Sequence, residues 1–192
     1  MRRPHTFLIW SALLLIVAAP VALAATSPLL QWRQPIYIIG GLAGVVGLIL
    51  LLAQPLLAAR ALPGLGPARS RHLHRVTGLM LVLSVVVHVA GLWITSPPDV
   101  IDALTFTSAT PFSAWGVIAM WALFVTATFA TLRGRLRLSP KGFRLGHKTL
   151  AVIIATCTIL HIIPIDGTME PVSKSVLMIA LAAATAMALR KA

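Results

Sequence analysis

Acidic side chains and cysteine are both scarce in this chain of 192 residues. It carries 4 acidic residues against 16 lysines and arginines, and Cys157 is its single cysteine. One cysteine excludes an intrachain disulfide and a four-cysteine iron–sulfur site. Charged residues of either sign make up only 10% of the chain. So little charge excludes the polar surface of an ordinary soluble domain.

Most of the chain consists of apolar residues. The chain is 58% hydrophobic and its mean hydropathy is +0.94. Apolar stretches that reach or approach the roughly 17–25 residues of a spanning helix occur at about 7–25, 36–57, 73–95, 115–132, 147–163 and 174–189. Turn and breaker signals separate them at Thr26–Pro28, Pro63–Pro67, Ser96–Pro98 and Ser139–Gly142. We therefore expect an all-α, polytopic membrane protein: one domain, residues 1–192, with a bundle of six transmembrane helices.

Basic residues predict how these helices are oriented. All but Arg33 and Lys174 fall on one side of the membrane, at Arg2, Arg3, Arg60, Arg69, Arg71, Arg75, Arg133, Arg135, Arg137, Lys141, Arg144, Lys148, Arg190 and Lys191. The positive-inside rule then places both termini in the cytoplasm, and we expect a bacterial inner membrane. A formal charge of +12 would suggest nucleic acid in a soluble protein. Here membrane topology explains the charge, so the expected partner is the lipid membrane and not nucleic acid.

The first apolar segment has two interpretations. Arg2 and Arg3, an apolar run and the small residues 22–25 resemble a signal peptide with its cleavage site. The run is longer than the usual core of a signal peptide, which favours an uncleaved helix. Cleavage would leave five helices in the same orientation.

Four histidines interrupt the third and fifth apolar segments at equal spacing. His74 precedes His88 by fourteen residues, and His147 precedes His161 by fourteen. Fourteen helical steps of about 100° bring both imidazoles of a pair to the same face, roughly 21 Å apart along the axis. Ionisable side chains at such depth are costly and usually functional.

The predicted topology places these histidines at matching depths. The third and fifth helices run in the same direction, so His74 lies level with His147 and His88 with His161. Two imidazoles at equal depth suit the axial positions of a low-spin haem iron, which predicts two haems between helices 3 and 5. No C-x-x-C-H motif is present, so both would be noncovalent haem b. Two alternatives remain. The histidines could be unrelated polar residues that form hydrogen bonds between helices. They could also bind zinc or copper, although the separation of about 21 Å within each pair excludes a single site made of all four histidines.

Further candidates surround the histidines. Arg75 and Lys148 each follow an inner histidine and are expected to bind the inner haem propionates; Arg33 and Lys174 are the candidates for the outer ones. His72 is expected to be solvated or to touch a propionate, with a role as the inner ligand as the alternative. Gly40, Gly41, Gly44 and Gly47 predict a smooth helix face for close packing. The basic stretch 133–144 is a candidate docking surface, although anionic lipid explains such a loop equally well.

Two short stretches resemble a known family. Arg71–Leu79, followed by His88, is similar to the third-helix pattern of the ferric reductase-like transmembrane domain. Leu145–Leu150, followed by His161, is similar to the fifth-helix pattern. The resemblance covers about residues 36–165. The family includes ferric reductases, NADPH oxidases and a bacterial haem-binding subunit of the periplasmic methionine sulfoxide reductase system. It implies a six-helix bundle whose two b-type haems carry electrons across the membrane.

The expected function is transmembrane electron transfer. No G-x-G-x-x-G motif follows a strand-like run, so we expect no nucleotide-binding domain in this chain. Electrons would come from a cytoplasmic flavin reductase or a membrane quinol, with flavin bound through a partner or loosely at the cytoplasmic face. An outer-side, periplasmic acceptor protein or small oxidant would receive them. The alternative is a terminal reductase that acts directly on ferric chelates or another small oxidant at the outer haem. A transporter or assembly factor is the non-redox alternative.

Overall fold

A computed structural model describes residues 3–167 and 169–191 of the chain, and Arg2 of the predicted basic N-terminus lies outside these residues. Within the described ranges the structure is helical, with no strand. Its seven α-helices are α1 (Arg3–Ala25), α2 (Pro35–Ala58), α3 (Pro67–Thr95), α4 (Pro97–Leu104), α5 (Pro111–Thr131), α6 (Pro140–Ile162) and α7 (Pro171–Lys191). Six of them, all but α4, are long and apolar enough to cross a membrane. The predicted all-α fold with six spanning helices is confirmed.

Proline begins every helix from α2 to α7. The first residue of a helix needs no N–H for an intrahelical bond, and the fixed φ of proline suits that position. Two helices therefore begin before the apolar stretches that start at about 73 and 147. The third and fifth spans begin at Pro67 and Pro140, because these prolines start helices where the sequence had suggested turns.

The short helix α4 lies where the sequence predicted only a loop. Ser96 precedes it, Pro97 opens it, and Asp99 adds a negative charge to its first turn, where the helix dipole favours one. The hydroxyl of Ser96 donates a hydrogen bond to the carboxylate of Asp99. The Ser-Pro-Pro-Asp sequence is thus a helix start.

Contacts between Cα atoms divide the chain into two compact units. Unit 1, Met1–Thr95 with Asp166–Ala192, contains α1, α2, α3 and α7, and α2 packs against the other three. Close packing of α2 on α3 depends on two glycines: a Cβ added to Gly91 would lie 2.8 Å from the Cα of Gly40. Leu177 and Leu181 of α7 are completely buried.

A hydrogen bond joins α2 and α3 at the end of the hairpin where α2 ends and α3 begins. The hydroxyl of Ser70, in the first turn of α3, donates a 2.7 Å hydrogen bond to the carbonyl of Leu57 in the last turn of α2. Ser70 is 1% exposed. The start of α3 is therefore fixed against the end of α2.

Unit 2, Ser96–Ile165, contains α4 and the α5–α6 hairpin. Its core is formed by Val117, Met120 and Leu123 on α5 and by Ile154 and Cys157 on α6. The loop between the two helices is shorter than predicted: it covers residues 132–139, and residues 140–144 of the expected basic loop form the first turns of α6. Ser139 caps α6, since its hydroxyl oxygen accepts a bond from the N–H of Gly142.

Candidate functional site

The four histidines occupy corresponding positions in α3 and α6. His74 lies seven residues after Pro67, and His147 lies seven residues after Pro140. His88 and His161 each follow fourteen residues later. Because both helices begin at their prolines, His74 and His147 stand at the same distance from a helix start, and so do His88 and His161. The names inner and outer for these two pairs follow the orientation expected from the sequence.

The imidazole of His88 is held by the neighbouring helix of unit 1. Its Nδ1 lies 2.8 Å from the carbonyl oxygen of Gly40 on α2. Gly44, one turn further along α2, faces the same ring: a Cβ there would lie 2.9 Å from Nδ1 and 3.1 Å from Cε1. The ring therefore lies directly against the α2 backbone.

His161 has the same arrangement in unit 2. Its Nδ1 lies 2.9 Å from the carbonyl oxygen of Phe112 on α5. One turn further, a Cβ on Gly116 would lie 2.7 Å from Nδ1 and 2.8 Å from Cε1. The ring of Phe112 is tilted against the imidazole, with centroids 6.0 Å apart. A carbonyl and a glycine one turn later thus hold both outer histidines.

This arrangement fits a haem ligand. A carbonyl oxygen can only accept, so Nδ1 of each outer histidine carries the hydrogen and donates it. In a neutral imidazole Nε2 then holds the lone pair, which is what an axial ligand needs. Metal-bound histidines usually donate their other ring N–H to a carbonyl or carboxylate in this way, which fixes the ring orientation.

His74 has a different environment, built by Gln54 of α2. Its Nδ1 lies 3.3 Å from the backbone carbonyl of Gln54. A terminal amide atom of the Gln54 side chain lies 3.1 Å from the same Nδ1, and the amide also bonds Thr77 Oγ1 at 2.8 Å. When Nδ1 carries its hydrogen, the amide oxygen accepts it; when Nδ1 holds the lone pair, the amide nitrogen donates to it. The amide orientation and the His74 tautomer are therefore coupled.

His147 stands at the end of an aromatic stack in unit 2. Its ring stacks on Phe143, one turn earlier in α6, with centroids 5.5 Å apart and planes 24° apart. Phe143 stacks in turn on Phe129 of α5 at 5.4 Å. The guanidinium of Arg133, in the loop before α6, lies 4.6 Å from the Phe143 centroid. A continuous set of contacts thus links the basic loop to an inner histidine.

Comparison with known proteins adds the decisive observation. Residues 43–158, more than half of the chain, match the family described as ferric reductase like transmembrane component. The chain belongs to this family. The match includes His74, His88 and His147 and ends three residues before His161. Searches of the curated proteins and of the solved structures each found no match.

Membership of the ferric reductase-like family confirms the resemblance seen in the sequence. Together with the six apolar helices it makes this an integral membrane protein, and the family indicates a role in membrane electron transfer. Domains of this family generally bind haem. The histidines described above are the residues of this ferric reductase-like chain that suit such a group.

The other predicted residues of this ferric reductase-like domain differ in exposure. Arg75 and His72 are exposed on α3, and Lys148 is half-buried on α6. Arg33 lies over the ring of Tyr37, 4.9 Å from its centroid. Lys174 is only 8% exposed, near the start of α7. Among the residues that the structure describes, no group of three or more His, Cys, Asp or Glu side chains is placed to hold a metal ion.

Several residues at the site escaped the sequence analysis. Gln54 is the only amide within the apolar stretch 36–57, and Gly116 is the only glycine of α5. An isolated polar or small residue in an apolar helix is a usable signal for a helix contact. Phe143 gave no such signal, because nothing in the sequence shows which aromatic ring meets a histidine. Gly41 was assigned to the packing face with Gly44, but a Cβ there meets nothing within 4 Å.

Proposed function

We propose that this protein is a di-haem, b-type membrane cytochrome. It moves electrons from a cytoplasmic flavoprotein or a membrane quinol to an acceptor on the outer side. The observation that carries the proposal is the equivalence of α3 and α6, each with a proline start, an inner histidine and an outer histidine at identical spacing. The proposal takes these two helices to run in the same direction, as the alternation of six spans predicts, and equal positions on such helices are what cross-helix ligation requires.

The proposed ligand pairs are His74 with His147 and His88 with His161. Bound haem would supply reversible one-electron chemistry at its iron. The four imidazoles would hold the two haems, and the carbonyls of Gly40 and Phe112 would orient the outer pair. Arg75 and Lys148 each follow an inner histidine and are proposed to bind the inner propionates.

Lys174 is a poorer candidate than the sequence suggested for binding an outer propionate. Its side chain is 8% exposed within unit 1. Arg33 is the better candidate for the outer side, and its guanidinium already lies over Tyr37.

The proposed orientation places the start of α6 and the 132–139 loop at the cytoplasmic face. Support comes from the clustering of basic residues there. The contacts from Arg133 through Phe143 to His147 make this the proposed face for an electron donor. Anionic lipid would bind the same charges, so the donor is best identified by reduction experiments.

A terminal reductase is the second candidate. Asp99 and Asp102 lie on α4, on the side proposed to be outer. Two carboxylates there would attract cationic or metal-bearing oxidants by simple charge complementarity. Turnover of a ferric chelate by the purified chain, without a protein partner, would favour this candidate.

The central test is haem content. The purified protein is expected to be red and to release noncovalent haem b, with a pyridine haemochrome spectrum and acid–acetone extraction as the measurements. Circular dichroism checks that the helices are intact. A folded but colourless preparation from haem-sufficient cells would refute the proposal.

The proposed pairing makes a sharper prediction. His88→Ala and His161→Ala should each remove the outer haem, while His74→Ala and His147→Ala should each remove the inner one. Each loss should approach half of the bound haem. His72→Ala is the matched control, because this exposed histidine on α3 is not a proposed ligand, and it should retain both haems. If His88 and His147 variants lost the same haem, the pairing would be wrong.

A further inference from the structure

We propose that Gly44 and Gly116 are positioning residues for the outer haem: each keeps open the space in which an outer histidine donates Nδ1–H to the helix beside it. The inference rests on the proposed function, since it assigns a role toward the haem bound by His88 and His161. In this role neither glycine contacts Nε2, the atom proposed to bind iron. Each glycine acts only through the position of the imidazole ring.

The helix geometry explains why glycine is needed at these two positions. In an α-helix the carbonyl of residue i points toward the N–H of residue i+4. An outside donor that reaches the carbonyl must therefore pass close to residue i+4. Gly44 stands in this relation to Gly40, and Gly116 stands in it to Phe112. The same register recurs in the two units, on helices with different surrounding sequences.

A side chain at either glycine would meet the whole imidazole ring and not only its far edge. A Cβ on Gly116 would lie 2.7 Å from Nδ1, 2.8 Å from Cε1 and 3.1 Å from Cγ of His161. On Gly44 the corresponding distances to His88 are 2.9, 3.1 and 3.5 Å. Because Cγ is fixed to the helix through Cβ, the ring can make room only by rotating. Rotation moves Nδ1 away from its carbonyl and turns Nε2 in a new direction.

Other glycines of the same helix do not share this property. A Cβ on Gly41 meets nothing within 4 Å, and one on Gly47 makes only ordinary contacts, the nearest at 3.6 Å to Ser84. Helix packing alone therefore does not account for Gly44. The more severe contacts at Gly116 predict the larger effect there.

The experiment compares Gly44→Ala, Gly116→Ala and the matched control Gly41→Ala in the full-length holoprotein. Electron paramagnetic resonance of the ferric protein is the main readout, because the g values of a bis-imidazole haem depend on the angles of the two ring planes. Both test variants should shift or abolish the same low-spin signal, the one that His88→Ala and His161→Ala remove. The inner signal should persist, and Gly41→Ala should match the wild type.

Two results would overturn the proposal. One is an outer signal unchanged in Gly116→Ala. The other is equal loss of both haems with a lower thermal stability, which would mean that Gly116 serves only to keep the fold. An outer signal unchanged in Gly44→Ala alone would contradict the role of Gly44 and limit the proposal to Gly116.

A second measurement separates this proposal from the proposed function. In haem-free protein with 15N-labelled histidine, the ring-nitrogen shifts report which nitrogen carries the hydrogen. The wild-type outer histidines should be protonated at Nδ1, and Gly116→Ala should change the shift of His161 while Gly41→Ala leaves it unchanged. If the wild type binds no haem but this response persists, the function fails and the role of glycine in positioning the ring stands. An unchanged shift refutes the role of glycine whether or not haem is bound.

Discussion

A histidine can serve as a haem ligand only when one ring nitrogen is kept for the metal, and for the two proposed outer ligands backbone atoms bind the other ring nitrogen. His88 and His161 each donate toward a carbonyl that belongs to a neighbouring helix. Such partners cannot be lost by substitution of a side chain. A side chain one turn away could block access to these carbonyls, which is why we propose that glycine is needed at positions 44 and 116.

The proposed inner ligand His74 differs, because a side-chain amide lies near its Nδ1 in addition to a backbone carbonyl, and this difference is testable. In Gln54→Leu the amide that lies 3.1 Å from Nδ1 is removed. Loss of an acceptor for Nδ1–H makes the imidazole a weaker donor to iron and favours the ferrous state. One such hydrogen bond, worth about 1 kcal/mol, corresponds to a rise of roughly 20–60 mV in the midpoint potential of the inner haem. Redox titration followed by absorbance measures it.

The control for this prediction is Gln34→Leu, at the other end of the same helix, where the glutamine side chain makes no capping bond. It should leave both potentials unchanged. A fall in the inner potential of Gln54→Leu would contradict an acceptor role of the amide. No change would contradict the role assigned to Gln54.

The sequence shows which histidines are candidate ligands, but it does not show which groups accept their hydrogen bonds. The four histidines stand out because imidazole is rare in apolar segments and because their spacing is equal. Their carbonyl partners are backbone groups, which every residue possesses, so no residue type marks Phe112 as an acceptor. Only the packing of α5 on α6 selects it.

Helix starts are the clearest lesson at the level of the elements. In the sequence, turn signals that contain proline indicate the ends of helices, and the apolar pattern suggests where each span begins. The structure places those prolines at the first helical position, which adds six residues to the start of α3 and seven to that of α6. Polar and basic side chains can occupy these first turns, so hydropathy alone underestimates the length of a helix that extends beyond the hydrocarbon core.

The start of α7 carries a prediction about pH. The carboxylate of Glu170 accepts hydrogen bonds from the backbone N–H of Ser173 at 2.7 Å and of Val172 at 2.8 Å. These bonds, that of Ser173 first, lower the pKa of Glu170. A lowered pKa in the folded state means that the cap stabilises α7 above the ordinary pKa of glutamate and that this contribution is lost as the pH falls through the lowered value.

Hydrogen exchange measures this effect directly. Protection factors of the Val172 and Ser173 amides should fall in acid for the wild type. In Glu170→Gln they should be low already at neutral pH and should lose this pH dependence, since a neutral amide accepts more weakly than a carboxylate. Asp166→Asn in the same loop is the matched control and should behave as the wild type. Equal pH dependence in Glu170→Gln and the wild type would contradict the capping role.

At the scale of the whole molecule, vectorial electron transfer through a partner is the decisive prediction. In proteoliposomes, NAD(P)H alone should leave the haems oxidised, because no nucleotide-binding motif occurs within residues 1–192. A flavin reductase with NAD(P)H, or a quinol, should reduce them from the face that carries the 132–139 loop. Absorbance of the haem bands follows both reduction and later oxidation by an outer acceptor.

Two outcomes would change this account. Direct reduction by NADPH in a contaminant-free preparation would refute dependence on a partner. In His161→Ala, reduction of the inner haem should persist while oxidation by the outer acceptor slows. Equal oxidation rates in this variant and the wild type would contradict the assignment of His161 to the exit side.

The number of membrane spans could be predicted from the sequence, since the six apolar stretches correspond to the six helices that are long and apolar enough to cross a membrane. The division into two units could not. The division depends on which helix faces pack together. Most of these helices carry apolar residues on all sides, so their sequences do not show which face packs against a neighbour.

That division has a consequence for how the protein is made. Unit 1 is built from the first and the last parts of the chain, while unit 2 is encoded between them. During synthesis α2 leaves the ribosome long before α7, the partner whose Leu177 and Leu181 become completely buried. A product released before Pro171 therefore leaves part of the α2 surface uncovered in the membrane.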